Sequence, residues 1–94
     1  MTYKKTDSGV LLNPENGRIN VDEVDTFENI LRKNIDKNNE LTINMKNVLV
    51  ICSAGLGKLF KLCGEGVKIT VCNLCEYIMK MFRMLHLHYI FTIK

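Results

Sequence analysis

The chain has 94 residues, 47% of them hydrophobic, with no tryptophan and a single proline; this is room for one domain, residues 1–94, and no run of about 18 uncharged apolar residues suggests a membrane span. The net charge of +3 is uneven, since residues 1–47 carry seven Lys/Arg against eight Asp/Glu and residues 48–94 carry six against two. The basic residues of the second half (Lys58, Lys61, Lys68, Lys80, Arg83 and Lys94) are scattered rather than interleaved with aromatics, which argues against a nucleic-acid face.

The chain opens on "MTYKKTDSG", which has no apolar signal core, so a cytoplasmic protein with four reduced, mostly buried cysteines is expected. Residues 1–7 read as a flexible N-terminus. Val10–Leu12 is a short apolar run, and Asn13–Gly17 with its Pro and Gly marks a reversal before Arg18–Ile19; a β-hairpin is expected there. Asn20 is a candidate N-cap for an amphipathic helix whose Val21, Val24, Phe27, Ile30–Leu31 and Ile35 recur at three- and four-residue steps. Acids in its first turn and Arg32, Lys33 and Lys37 in its last suit the helix dipole.

"LTINM" alternates as a strand, and Val48–Ile51 resumes as a buried apolar run ending at Cys52. Leu56, Leu59, Phe60 and Cys63 then follow at helical spacing, with Lys58 and Lys61 outward, until Gly64–Glu65–Gly66 stops the helix. "VKITVC" is a third clear strand. Asn73 can cap a last helix with the stripe Leu74, Ile78, Met81 and Leu85, and "HYIFTIK" reads as a closing edge strand. The order β-β-α-β-α-β-α-β predicts a single α/β domain: a mixed sheet of four to five strands with helices packed mainly on one face.

The chemistry concentrates in "VLVICSAGLGKLF", where a strand feeds a helix through small residues. The first N–H groups of such a helix lack intrahelical partners and favour a negative group. A serine can cap there, and a cysteine there tends toward a lowered pKa. Ser53 and Cys52 are both candidate phosphate carriers on local grounds alone.

"VLVICSAGLG" resembles the phosphocysteine loop of phosphotransferase-system IIB proteins, which would make Cys52 the carrier. It is also similar to the Ser-Gly-Leu-Gly turn of the STAS domain of anti-sigma factor antagonists. Position separates the two, because a IIB loop follows the first strand and needs several further β-α units. The STAS order is a hairpin, a Gly-Arg-Ile-Asp-like turn, a helix, a Leu-Asp-Leu-like strand and then the serine turn. This chain is similar at Gly17–Arg18–Ile19–Asn20, the helix from Val21, Ile43–Asn44–Met45, Ser53–Ala54–Gly55–Leu56–Gly57, and again along "GEGVKITVCN" and the last helix, so the resemblance spans about residues 8–93.

What the resemblance implies is a non-enzymatic bacterial regulator of transcription, without cofactor or metal, as a monomer or weak dimer. Its partner would be an anti-sigma factor that is also a serine protein kinase, and Ser53 would be the phosphorylated residue, with a phosphoserine phosphatase to reverse it. Arg18, Asn20, Cys52, Ser53, Ala54, Gly55, Leu56, Gly57, Lys58 and Lys61 would form the docking surface. The alternative is a STAS subunit acting without phosphorylation in another assembly, such as a transporter-associated complex. Asn20, Asn44 and Cys52 stand where the family commonly has acids, and Ala54 replaces a second Ser or Thr.

Other constellations read more plainly. Cys72–Asn73–Leu74–Cys75 has redox-motif spacing, but both thiols can face the core. A zinc site would need Cys52, Cys63, His86 or His88 from separate elements. A phosphatase-like loop on Cys52 would want an arginine where Lys58 stands, and lysine offers no bidentate fork.

Overall fold

The computed structural model describes residues 1–7 and 9–94. In chain order it contains β1 (Thr2–Thr6), β2 (Gly9–Asn13), β3 (Arg18–Ile19), α1 (Val24–Lys33), β4 (Glu40–Asn44), β5 (Val50–Ile51), α2 (Ser53–Gly64), β6 (Lys68–Cys72), α3 (Glu76–Met84) and β7 (Thr92–Ile93), with single 3-10 turns at Glu15–Gly17, Val21–Glu23 and Leu87–Tyr89. Five strands form one mixed sheet in the order β1-β2-β4-β6-β7. Only β1 and β2 pair antiparallel; β2–β4, β4–β6 and β6–β7 are parallel, as helical crossovers require.

The helices cover one face of this sheet. Val10 and Leu12, Leu41 and Ile43, and Ile69 and Val71 are buried, whereas Leu11, Thr42, Thr70 and Cys72 between and beyond them are half-covered. Period-two alternation thus sends one set of side chains to the helices and the other to the open face. Against the buried set pack Phe27, Ile30 and Leu31 of α1, Leu56, Leu59 and Leu62 of α2, and Ile78 and Phe82 of α3. Among the described residues no helix is long and apolar enough to cross a membrane.

Three sequence expectations change. The hairpin forms one step earlier than expected: β2 pairs with Thr2–Thr6, register Tyr3 with Leu12 and Lys5 with Val10, and not with Arg18–Ile19. Residues read as a flexible N-terminus therefore include an edge strand. Its "TYKKT" carries no apolar alternation because the edge is exposed, and its lysines guard that edge against pairing with another chain. Second, Val48–Ile51 is not one buried run. Val48 and Ile51 are buried, while Leu49 and Val50 are exposed. Third, β5 lies outside the main sheet. It pairs in parallel with β3 as a separate ribbon, Arg18 with Val50 and Ile19 with Ile51.

Two smaller differences concern α3 and the C-terminus. Asn73 does not cap α3; it adopts a left-handed conformation (φ 58°), and Cys75 occupies the N-cap position. The closing strand is reduced to Thr92–Ile93 after the 3-10 turn that holds His88.

Candidate functional site

The β3–β5 ribbon is what aims α2. The Leu49 N–H donates to the Gly17 carbonyl at 2.7 Å and the Cys52 N–H to the Ile19 carbonyl at 3.0 Å, so the ladder runs up to the residue before the helix. Cys52 is the N-cap, extended at φ −75°, ψ 163°, and its side chain makes no capping bond. The first helical donor with a partner is the Leu56 N–H, bonded to the Cys52 carbonyl at 3.1 Å. The N–H groups of Ser53, Ala54 and Gly55 are therefore the orphan donors of the helix start. Ser53 and Ala54 are exposed, and Cys52 is half-buried. Of the two candidate phosphate carriers, Ser53 is exposed and Cys52 is half-buried.

Small residues in "SAGLG" serve different ends. Gly55 is buried, and a Cβ there would meet Ile51 Cγ1 at 2.9 Å, so its lack of a side chain lets α2 start close against the ribbon. Leu56 is the first core anchor of α2. Gly57 is exposed, and a Cβ there would meet nothing within 4 Å. Ser53 and Gly57 are four apart, one above the other on the same helix face.

Arg18 and Asn20 fall on the neighbouring strand and just beyond it. Arg18 is opposite Val50 in the ladder, and Asn20 follows Ile19, whose carbonyl holds Cys52; both are exposed. Asn20 precedes the Val21–Glu23 turn without a side-chain capping bond. The structure thus brings Arg18, Asn20, Cys52, Ser53, Ala54 and Gly57 to one end of the molecule.

Lys58 and Lys61 are engaged elsewhere. Lys58 Nζ lies 2.8 Å from Glu28 Oε1, and Lys61 Nζ lies 3.4 Å from Glu28 Oε2. Arg32 donates from Nε to Glu28 at 2.9 Å and from its two terminal nitrogens to Glu65 at 2.8 and 2.9 Å. Hydrogen bonds from Lys58 and then Arg32 hold the Glu28 carboxyl down at about 2, and Glu28 in turn raises Lys58. These cations pin α2 to α1 and do not project as free charges, a role that sequence spacing could not show because Glu28 lies thirty positions before Lys58. Lys58 is also not free to hold a phosphate on Cys52.

Asn44 is a buried polar residue that sequence reading left without a role. Its Oδ1 accepts from the Lys46 N–H at 3.0 Å and from Asn73 Nδ2 at 3.1 Å, tying the end of β4 to the turn after β6. The four cysteines are free and half-buried. Cys72 and Cys75 donate to different carbonyls, Ile43 and Leu49, each at 3.7 Å, and burial pushes the Cys63 thiol up. Among the described residues no group of three or more His, Cys, Asp and Glu could hold a metal ion.

No family model matches the chain, and no curated protein matches it. Its structure is similar to that of a putative anti-sigma factor antagonist from Thermotoga maritima, with a TM-score of 0.74 over 98% of this chain and 83% of the other at 20% sequence identity. At that identity the likeness is one of fold, and it is the fold that the STAS resemblance implied.

Proposed function

We propose that this chain is an anti-sigma factor antagonist, a protein-docking module whose partner is an anti-sigma factor with serine kinase activity and whose switch is phosphorylation of Ser53. One observation carries the reading. Ser53, the single hydroxyl residue of the strand-to-helix turn, is exposed at the first position of α2, where the helix start has three orphan N–H groups. A phosphate brings about −1.5 to −2 charges and three acceptor oxygens. Orphan N–H groups and the helix dipole stabilise such an anion, so modification leaves the fold intact. A partner seated over Ser53, Ala54 and bare Gly57 would instead meet bulk and charge. Arg18 and Asn20 border the same surface.

The acid that the family commonly carries before the serine is Cys52 here, half-buried with its N–H bonded to Ile19. A phosphoserine phosphatase would reset the switch.

Titration of the purified cognate anti-sigma kinase against wild type, Ser53→Ala and Ser53→Asp tests this. Wild type and Ser53→Ala should bind, Ser53→Asp should lose affinity at least tenfold, and ATP should add one phosphate to wild type only. Equal binding by all three, or phosphate found on Ser53→Ala, rejects the switch.

A further inference from the structure

α3 carries more apolar surface than its core contacts use. Ile78 and Phe82 face the sheet and are fully buried. A second row, Tyr77, Met81 and Met84, follows at i, i+4 and i+7, which places it on one helix face. Tyr77 is 60% and Met84 79% exposed, and Leu49 of the β4–β5 connection is 55% exposed. These residues are continuous in space. Leu49 and Val50 share a groove with Tyr77 and Lys80, and Tyr77 and Lys80 share the next with Met84 and Leu85. The stripe begins at Leu49 and Val50, the latter three residues before Ser53, and extends about two helical turns along α3.

Its border is basic. Arg18 is the ladder partner of Val50 on the exposed ribbon, and Arg83 stands three positions after Lys80 on α3. Arg18 and Arg83 make no ion pair among the described residues, and the acid of the stripe, Glu76, is paired with Lys80 at 3.4 Å. An apolar floor with uncompensated cations around it fits an apolar ridge flanked by carboxylates. A second copy of this chain would bring the same unpaired cations to the contact.

We infer that the stripe from Leu49 to Leu85 is a second docking surface, receiving an amphipathic helix of the anti-sigma kinase whose apolar side chains are bordered by Asp and Glu. This rests on the function proposed above and assigns the two surfaces different tasks. The Ser53 turn reads the phosphorylation state. The α3 stripe supplies phosphate-independent affinity through an aromatic anchor and adaptable methionines.

Titration of the cognate anti-sigma kinase against Tyr77→Ser, Met84→Ser and the charge reversal Lys80→Glu/Arg83→Glu tests the assignment, with Ser53→Asp as reference. All substituted side chains are exposed, and unchanged melting by circular dichroism shows that each variant folds. Tyr77→Ser and Met84→Ser should each weaken binding at least tenfold, and the charge reversal should slow association at least tenfold at low salt, an effect that shrinks as salt rises. Stripe variants that bind like wild type while Ser53→Asp loses binding overturn the second surface and leave the switch standing. Stripe variants that alter only self-association in gel filtration assign the face to a second copy and overturn it too. Failure of wild type to bind the kinase removes both readings.

Discussion

A methyl group added at Gly57 would meet no heavy atom within 4 Å, whereas one added at Gly55 would press on Ile51. Glycine in an exposed helix interior costs about 0.5–1 kcal/mol relative to alanine, so the fold gives no reason for Gly57. Gly57→Ala should therefore raise stability by about that amount in urea denaturation and, on the proposed function, weaken kinase binding, because a methyl group would intrude on the proposed docking surface. Gly57→Ala that binds with unchanged affinity places the contact elsewhere on α2. Ser53→Asp belongs to the same scale. A carboxylate at the first helical position is favoured by about 0.3–1 kcal/mol, so its thermal midpoint should match or exceed that of wild type while binding is lost. The serine turn was legible because small residues between an apolar strand and an amphipathic helix leave few alternatives. The engagement of Lys58 and Lys61 was not, since exposed lysines at helical spacing look alike until the opposing helix is in place.

Between elements, the ion pairs centred on Glu28 link α1 and α2 above their shared apolar core. The carboxyl titrates near 2 in the folded chain against an ordinary value of 4.5. Its contribution is complete above pH 4.5 and disappears as pH falls from there to about 2. Glu28→Gln should accordingly lower the urea midpoint at pH 7, and the gap to wild type should close as the pH approaches 2. It should also narrow partly in high salt, because two of the partner cations, Arg32 and Lys61, are exposed whereas Glu28 and Lys58 are largely covered. A gap that stays constant down to pH 2 assigns the loss to packing instead. At this scale the sequence misled twice for one reason. Apolar residues at Val10–Leu12 and Val48–Ile51 announced strands, but pairing partners depend on the whole sheet, and the polar "TYKKT" hid the true hairpin arm.

For the molecule as a whole, the three helices, the alternation of strands with them and the covered face of the sheet were readable from periodicity, because one apolar face per element leaves few ways to close a core of this size. The polar edge strand β1 and the separate strand β5 were not. Phe82 and Phe91 illustrate what periodicity missed. They pack with ring centroids 6.0 Å apart, and Phe82 is fully buried although the expected α3 stripe passed it over. Phe82→Ala should cost about 3–5 kcal/mol, enough to unfold much of a marginally stable domain, as fluorescence or circular dichroism would register. A loss under 1 kcal/mol would mean that the C-terminal turn is not integral to the core. The ribbon of β3 and β5 has a consequence of its own. Two residue pairs close a loop from Arg18 to Val50, a long entropic lever on few bonds. Amide exchange at Leu49 and Cys52 should outpace that of β4 and β6, so the platform beneath the proposed switch breathes on a separate clock from the sheet, and any docked protein that slows it would report its own arrival.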